Sequence, residues 1–221
     1  MFNKLILEID LCIYNNGVMN SETFVYYANV GNLNIENYLS KLPQARQEKI
    51  AKYKFEKDIK LSIGVWLLLE KAMKLHQIDV SKYEVEVSEK GKPSFKDCPL
   101  QFSLSHSGTY VLVAISSSPV GADIQEMRDF DNKMINYISD EDDLKYIDSQ
   151  NDKRDAFYKV WTFKEALVKK SGEGFSTQIK KIKIDYRSNQ LFEYNLIPNY
   201  KIAIASELPI SKPIELELIT Q

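Results

Sequence analysis

Strand-like and helix-like spacing of apolar residues alternate in the first third of the chain. Branched and aromatic residues predict strands at Lys4–Tyr14 and Thr23–Ala28. A short helix is predicted over Ile35–Leu42. Apolar residues at helical spacing then predict a long helix from Gln44 to His76, with a break near Tyr53–Lys57. Two strands should therefore precede one long helical segment.

Strands and tight turns are predicted for the middle of the chain. Gly91-Lys92-Pro93 is typical of a turn, because Gly tolerates positive φ and Pro fixes the exit. The polar segment His106-Ser107-Gly108 separates two further apolar runs. Alternating or continuously apolar residues predict strands at Tyr83–Val87, Gln101–Ser105, Tyr110–Ser116 and Pro119–Gln125.

The last third of the chain changes from helical to strand spacing. Helices are predicted at Asp131–Ile138, Asp140–Ser149 and Asp152–Lys170. Strands are predicted at Ile179–Tyr186, Leu191–Tyr194, Tyr200–Ser206 and Ile214–Ile219.

An internal similarity relates the two long helices. Val, Trp, Glu and the final Lys of Val65–Lys74 recur in the same register in Val160–Lys169, and Tyr110–Ser116 is echoed by Tyr200–Ser206. We expect an α+β fold of two similar subdomains related by a pseudo-twofold axis, each a long helix packed on a small antiparallel sheet. The expected units are residues 1–117 and 118–221. Chance is the alternative, since Glu and Lys four residues apart are common on helices.

Composition narrows the classes of function. The 221 residues carry 29 Lys and Arg against 31 Asp and Glu, a net charge of −2, which argues against general nucleic-acid binding. Cys12 and Cys98 are not in metal-type spacing and are expected to be buried free thiols. The start has no basic region followed by a long apolar stretch, and no segment is apolar enough to span a bilayer. A cytoplasmic protein without a membrane partner is expected.

The strand Pro119–Gln125 offers oxygen atoms for a metal. Side chains two residues apart share a face of a strand, so Asp123 and Gln125 should point the same way while Ala122 and Ile124 face the core. A carboxylate and an amide oxygen suit a hard cation. The structural alternative is that Asp123 only caps the next segment.

The second long helix places three chemically useful residues in one stripe. Trp161, Glu165 and Lys169 follow each other at intervals of four, and Lys164 lies one step off that line. Glu165 could reach the same cation as Asp123, while the two lysines could neutralise phosphate oxygens. In isolation, a routine surface Glu–Lys pair explains the helix equally well.

Two further segments could contact phosphate. The turn after Phe102-Ser103-Leu104 brings together hydroxyls, the imidazole of His106 and a glycine. A Ser–His hydrolase is disfavoured because no G-x-S-x-G motif surrounds a serine, and a structural turn histidine remains an alternative. The segment 41–74 has a local basic excess, which is equally typical of a solvated helix face. Its candidate anion contacts are Arg46, Lys49, Lys52, Lys60 and Ser62.

Four segments together resemble one family. Gly91-Lys92-Pro93, the residues 102–108, the residues 120–124 and the residues 161–169 occur in the order and spacing of the motifs of surfactin-type 4′-phosphopantetheinyl transferases. The similarity runs from about Gln44 to Gly174, and the internal repeat agrees with that family's two similar halves. The resemblance implies Mg²⁺-dependent transfer of the 4′-phosphopantetheine arm of coenzyme A to a serine of an acyl or peptidyl carrier protein, with release of 3′,5′-ADP.

The resemblance also implies roles for individual residues. Asp123 and Glu165, with Gln125 beside them, would hold Mg²⁺, and Glu165 would also accept the serine proton. Lys169, Ser105 and His106 would contact phosphate groups of coenzyme A. The remaining coenzyme contacts would be Lys92 and Pro93 near the adenine, and Arg46, Lys49 and Ser62 at the ribose phosphate.

Two positions depart from the family pattern. Many members carry a second acid two residues after the aspartate, where this chain has Gln125, so the metal would have fewer charged ligands and one more water. The family often has an arginine just before Ser62, where this chain has Leu61 next to Lys60. The ribose-phosphate contacts therefore depend more on neighbouring residues.

Three rival interpretations remain at this level. One is an enzyme that cleaves coenzyme A without a protein acceptor. Another is a degenerate relative that binds coenzyme A or a carrier protein without turnover, which Gln125 favours. The third is the short, trimeric acyl-carrier-protein synthase, which the chain length and repeated helix disfavour. A monomer is expected, because one chain contains both copies of the repeated unit.

Overall fold

The computed structural model describes residues 22–174 and 178–218. The predicted strand at Lys4–Tyr14, which includes Cys12, lies outside the described residues. Cys98 is a free, half-buried cysteine. In chain order the strands and α-helices are β1 (Phe24–Asn29), α1 (Gln44–Ile50), α2 (Glu56–Leu75), β2 (Val85–Val87), β3 (Pro93–Phe95), β4 (Gln101–Ser107), β5 (Tyr110–Ser116), β6 (Val120–Glu126), α3 (Asn132–Ile138), α4 (Glu141–Ser149), α5 (Lys153–Ser171), β7 (Leu191–Tyr194), β8 (Tyr200–Ser206) and β9 (Ile214–Glu215).

A four-stranded sheet and the long helix α2 form the N-terminal half. The strand order is β4-β5-β1-β9, and β5 pairs antiparallel with both of its neighbours. Helix α2 packs on β1, β4 and β5. Trp66, Leu69 and Met73 of the helix are buried in one core with Val111 and Val113 of β5. An amphipathic helix covering one sheet face accounts for this core.

The C-terminal half repeats this arrangement with a smaller sheet. Strands β6, β8 and β7 are antiparallel with β8 in the centre, and α5 packs on β6 and β8. Gly121 allows a close approach, because a Cβ atom there would lie 1.8 Å from the carbonyl oxygen of Ala166. The α+β class, with a long helix on a small antiparallel sheet in each half, is confirmed. The pseudo-twofold axis stays a prediction.

Serine hydroxyls join the edge strands of the two sheets. Strands β4 and β6 each lie at the edge of their own sheet. Three serine hydroxyls of β4 accept hydrogen bonds from backbone N–H groups of β6. Ser103 accepts from Ala122 at 2.9 Å, Ser105 from Ile124 at 3.2 Å and Ser107 from Glu126 at 3.0 Å. Alternate residues of a strand share one face, so the three serines form a ladder. This serine ladder satisfies edge groups that would otherwise be exposed for pairing.

The C-terminal segment returns to the first sheet. Strand β9 pairs in parallel with β1 through Tyr26 and Tyr27, and Leu216 is buried in the N-terminal core. The predicted boundary between the two halves, at residues 117 and 118, stays a prediction. Strand β9 follows that boundary in the sequence but belongs to the sheet of the N-terminal half.

The helix break predicted near Tyr53–Lys57 is present, because α1 ends at Ile50 and α2 begins at Glu56. Of the predicted helix Ile35–Leu42 only a 3₁₀ turn, Leu39–Lys41, is formed. Leu42 is extended there, as expected for a residue before a proline.

Two predicted strands near the C-terminus differ from the structure. The strand at Ile179–Tyr186 is wrong, since a 3₁₀ turn at Ile179–Lys181 is followed by irregular chain. Ile179 and Ile184 instead pack against the helices of the C-terminal half. The strand predicted at Ile214–Ile219 extends past the last described residue, 218, and among its described residues only Ile214–Glu215 form a strand. In the part of the chain that the structure describes, no helix is long and apolar enough to cross a membrane.

Candidate active site

A cleft of about 410 Å³ lies between the two halves. Helices α1 and α2, the turn before β3 and strand β4 form one side, and β6 with α5 forms the other. The cleft brings together the residues to which the family resemblance gives a role. These are Arg46, Lys49, Ser62, Lys92, Pro93, Ser105, His106, Asp123, Gln125, Glu165 and Lys169. Lys52, Lys60 and Lys164, the other candidate anion contacts, do not line it.

Asp123 is the buried centre of the acidic end of the cleft. Its side chain is almost fully buried and accepts three hydrogen bonds. Oδ1 accepts from the ammonium of Lys169 at 2.6 Å and from the hydroxyl of Ser105 at 2.7 Å. Oδ2 accepts from the amide nitrogen of Gln125 at 3.0 Å, so Asp123 and Gln125 share a face as the alternation predicts. Charge-assisted bonds of this kind hold a carboxylate in one orientation.

Glu165 lines the same cleft from α5. Trp161 lies one turn earlier on the same helix and also lines the cleft. Burial, and next the negative charge of Asp123, raise the pKa of Glu165 above its usual value, although Lys169 opposes this. A carboxylate whose ionisation is disfavoured by burial and by a neighbouring carboxylate belongs to a site that a cation or a proton stabilises.

The oxygen atoms at this end fit a hard cation with few protein ligands. Among the described residues no cluster of three or more His, Cys, Asp or Glu side chains is present. Asp123 and Glu165 supply two carboxylates, and Gln125 can add its amide oxygen. Mg²⁺ commonly binds through one or two carboxylates and keeps several waters, whereas Zn²⁺ prefers nitrogen and sulfur ligands. The donor set is therefore suited to Mg²⁺.

The hydroxyl of Ser105 is fully engaged. It donates to Asp123 and accepts from the N–H of Ile124 and from the ammonium of Lys169, the last at 2.9 Å. A serine hydroxyl has one donor and two acceptor positions. Contact between Ser105 and a phosphate stays a prediction that requires one of these bonds to be exchanged.

The N-terminal wall of the cleft is basic. Burial and the charge of Arg46 lower the pKa of Lys49. The His106 side chain is exposed at the surface of the cleft, yet desolvation and the charges of Lys169 and Lys49 lower its pKa. Among the described residues neither Arg46 nor Lys49 forms an ion pair. Cations that are close together and lack acidic partners favour an anionic ligand.

The guanidinium of Arg46 lies next to the Ser62 hydroxyl. Leu61, at the position before Ser62, is buried in the core, and Lys60 pairs with Glu56 at 2.8 Å. Nη2 of Arg46 donates to the Ser62 hydroxyl at 3.3 Å and to the Ser62 carbonyl at 3.1 Å. Helix α1 thus brings a guanidinium to Ser62 from a different position in the sequence.

Lys92 links the two walls of the cleft. Its ammonium donates to the carbonyls of Lys169, Val120 and Lys170 at 2.6, 3.3 and 3.4 Å. Burial lowers the pKa of Lys92. A lysine at the last carbonyls of a helix satisfies groups that the helix leaves unpaired. The position of Lys92 and Pro93 near an adenine stays a prediction.

The interpretation of Lys164 as a phosphate contact is wrong. Lys164 does not line the cleft and is fully buried. It forms an ion pair with Asp143 and donates to the carbonyls of Ile138 and Lys180 at 2.9 and 3.3 Å. A buried ammonium needs such partners, so Lys164 joins α5 to α4 and to the segments around it.

Sequence reasoning missed several residues around the cleft. Tyr53 and Lys90 line it, and Trp66 lies beneath the guanidinium of Arg46. The one sequence signal for the serine ladder is that serines occupy every second position of β4. The sequence does not show which strand they contact. Nothing in the spacing of Tyr53 or Lys90 distinguishes them from other loop residues.

Comparison with known proteins identifies the family. Residues 119–208 match the sequence model of the 4′-phosphopantetheinyl transferase superfamily, and residues 32–118 match that of the 4′-phosphopantetheinyl transferase N-terminal region. The transferase AcpT of Escherichia coli K12 is 31% identical over 134 residues, which are 58% of this chain and 68% of AcpT. The chain belongs to the 4′-phosphopantetheinyl transferase superfamily and is an enzyme that transfers the phosphopantetheine group.

Relatives of the surfactin type match most of the chain. The transferase gsp of Aneurinibacillus migulanus is 29% identical over 201 residues, covering 83% of this chain and 84% of gsp. The transferase Sfp of Bacillus subtilis strain 168 is 24% identical over 193 residues, covering 79% of this chain and 86% of Sfp. The family implies coenzyme A as the substrate that donates the group.

Proposed function

We propose that the enzyme transfers the 4′-phosphopantetheine arm of coenzyme A to a serine hydroxyl of an acyl or peptidyl carrier protein, with Mg²⁺ and with release of 3′,5′-ADP. The observation that carries the proposal is that one cleft is lined by carboxylates and by cations. Asp123 and Glu165 come from its C-terminal wall, the acidic end, and Arg46 and Lys49 come from α1 on its N-terminal wall, the basic end. A ligand with several phosphates and a bound divalent cation matches both ends.

The basic end is assigned to the ribose phosphate of coenzyme A. Arg46, Lys49 and the Ser62 hydroxyl provide donors there, and His106 adds an imidazole. Lys92 and Pro93 border the same cleft and are assigned to the adenine side. Guanidinium and ammonium groups without acidic partners bind phosphate without first breaking an ion pair.

The acidic end is assigned to the pyrophosphate and the reacting serine. Asp123 and Glu165 would hold Mg²⁺, with Gln125 as a neutral oxygen ligand. The cation, when bound, neutralises pyrophosphate charge and stabilises the leaving oxygen. Since Gln125 replaces an acid common in the family, affinity for the cation should be lower than with three acids.

Transfer exchanges one phosphorus–oxygen bond for another. The serine oxygen bonds to the phosphorus that carries the pantetheine, the pyrophosphate bond to the adjacent phosphate breaks, and 3′,5′-ADP leaves with the bonding electrons. The serine proton passes to Glu165, directly or through a water, because its carboxylate lines the cleft where the serine must enter. Lys169 lies beside Asp123 and stabilises negative charge on the phosphates.

Mass spectrometry of a purified apo carrier protein tests the proposal. Incubation with the enzyme, coenzyme A and Mg²⁺ should add one phosphopantetheine arm per carrier serine and release 3′,5′-ADP in equal amount. Release of 3′,5′-ADP with an unmodified carrier would instead indicate cleavage of coenzyme A. Binding of coenzyme A without either product, across fatty-acid, polyketide and peptide carriers, would favour a binding protein. Changing the carrier serine to alanine is the matched control.

One chain should suffice for the reaction. Both walls of the cleft come from the same chain, so no residue from a second subunit is needed to complete the described site. We propose a monomer. Light scattering during turnover should give the mass of one chain, 25.6 kDa.

A further inference from the structure

Trp66 forms the floor beneath Arg46. The guanidinium carbon of Arg46 lies 5.0 Å from the centroid of the Trp66 ring. The tryptophan is 1% exposed and the arginine 9% exposed, so water does not screen the contact. A guanidinium over an indole face is attracted by the ring quadrupole, more strongly when both are desolvated.

Glu70 fixes the tryptophan ring. The indole N–H of Trp66 donates to Oε1 of Glu70 at 2.8 Å, one turn further along α2. Phe95 packs against the same ring edge-on, with 6.0 Å between centroids. The ring therefore has one hydrogen bond and one aromatic contact that restrict its orientation.

Arg46 depends on this support because it has no acidic partner. Its described hydrogen bonds use only Nη2, which donates to Ser62, and Nε is buried without a partner among the described residues. An isolated buried cation is costly, and burial lowers the pKa of Arg46. The face of the Trp66 ring stabilises the positive charge of Arg46 and leaves the N–H donors of the guanidinium available.

The C-terminal half uses the same residue pair differently. Trp161 and Glu165 occupy the positions of Trp66 and Glu70 in the repeat, but Glu165 lines the cleft and Glu70 does not. In the C-terminal half the carboxylate faces the ligand. In the N-terminal half the carboxylate orients a tryptophan whose face carries the cation.

We propose that Glu70 and Trp66 are positioning residues that hold Arg46 ready for a phosphate group of the donor. The inference rests on the proposed function, in which Arg46 binds the ribose phosphate of coenzyme A. The pair acts on binding and not on the transfer step. Loss of the pair should raise the KM for coenzyme A about tenfold and leave kcat within a factor of two.

Four variants of the full chain test the pair. Trp66→Leu and Glu70→Leu should each raise the KM for coenzyme A and the Kd for 3′,5′-ADP about tenfold. Glu70→Gln should stay near the wild type, because its amide oxygen still accepts the indole N–H. Leu69→Ala, a buried residue of α2 outside the cleft, should lower the melting temperature without changing the KM.

A spectroscopic measurement covers the case in which Trp66→Leu does not fold. Trp66 is the only tryptophan left in Trp161→Phe. Its fluorescence should change when 3′,5′-ADP is added, and Arg46→Ala should remove the change. If the fluorescence of Trp66 does not change when 3′,5′-ADP is added, the inference is overturned.

The remaining outcomes separate the inference from the proposed function. The positioning role is overturned if Arg46→Ala weakens 3′,5′-ADP binding while Trp66→Leu and Glu70→Leu do not, or if Leu69→Ala raises the KM equally. An Arg46→Ala variant that binds 3′,5′-ADP normally overturns the positioning role and the assignment of Arg46 to the ribose phosphate, while the transfer reaction is still decided by the carrier-protein assay. If no carrier protein is modified, but Trp66→Leu and Glu70→Leu still weaken 3′,5′-ADP binding, the proposed function fails and the positioning role stands.

Discussion

The hydroxyl of Ser105 donates to Oδ1 of Asp123 at 2.7 Å and joins the serine ladder to the acidic end of the cleft. The same oxygen accepts the N–H of Ile124, the next residue of β6, at 3.2 Å. One hydroxyl from the N-terminal half thus fixes both the backbone and the side chain of the strand that carries Asp123. The association of the halves and the orientation of the carboxylate are physically coupled.

Replacing Ser105 by alanine should therefore affect stability and transfer together. A buried N–H and a buried carboxylate each lose a partner, at a cost of about 1–3 kcal/mol in the free energy of unfolding. The rate of transfer should fall about tenfold, because Lys169 alone would then hold Oδ1. Urea unfolding and the carrier-protein assay measure the two effects.

Ser103→Ala is the matched comparison for that variant. Its hydroxyl accepts the N–H of Ala122 in the same ladder but does not contact Asp123. Because only one group loses a partner, the losses of stability and of transfer rate should both be smaller than in Ser105→Ala. Equal losses of transfer rate in the two variants would show that the Ser105–Asp123 bond has no separate role.

The two glutamates of the repeated helices should respond differently to the same change. Glu165→Gln removes a metal ligand and the candidate base, so transfer should fall by at least a hundredfold. Glu70→Gln keeps the acceptor for Trp66 and should leave activity nearly intact. Steady-state rates with saturating carrier protein measure both, and comparable losses would contradict the assignment of the two halves.

Binding of a phosphate ligand should raise the pKa of His106. Desolvation and the charges of Lys169 and Lys49 lower it from 6.5 in the free enzyme. An anion at the basic end favours the imidazolium, so the affinity for 3′,5′-ADP gains a contribution from His106 as pH falls toward the free-state pKa. Proton NMR measures this pKa with and without 3′,5′-ADP, and His106→Asn assigns the signal. An unchanged pKa would place His106 away from the phosphate.

His76 should make the protein less stable in mild acid. Its ring packs against Phe24, its Nε2 hydrogen-bonds the Tyr26 hydroxyl at 2.9 Å, and burial lowers its pKa from 6.5 to about 4. The unfolded state binds the proton more tightly, so this contribution to stability is complete above pH 6.5 and is lost as pH falls to about 4. The loss amounts to about 3 kcal/mol.

Urea unfolding across this pH range, compared with His76→Gln, measures the contribution of His76. The glutamine can accept the Tyr26 hydrogen bond but does not titrate. The wild type should lose stability more steeply than the variant between pH 6.5 and 4. Parallel curves would assign the acid sensitivity to other groups.

Alternation and motif order were sufficient to predict the candidate metal, coenzyme and catalytic residues that line the cleft, but not Tyr53 or Lys90. Period-two spacing placed Asp123 and Gln125 on one face, and helical spacing placed Trp161, Glu165 and Lys169 in one stripe. These signals are local, because each depends on residues within one element. The shared helix-on-sheet unit was also evident, since the repeat preserves Trp66 and Trp161 in register.

Features that depend on contacts between distant elements were not predictable. Lys164 lies one step off the stripe of cleft residues, and its side chain pairs with Asp143 from another helix. The segment 179–186 is rich in isoleucine like a strand, yet Ile179 and Ile184 pack against helices instead. The support of Arg46 by Trp66 likewise requires α1 to pack on α2.

Titration of Mg²⁺ into enzyme saturated with coenzyme A, followed by calorimetry, tests the central assignment most directly. The account predicts one Mg²⁺ site per chain in the wild type and in Glu70→Gln, and loss of that site in both Asp123→Asn and Glu165→Gln. Retention of a site with wild-type affinity in either of those two variants would contradict it.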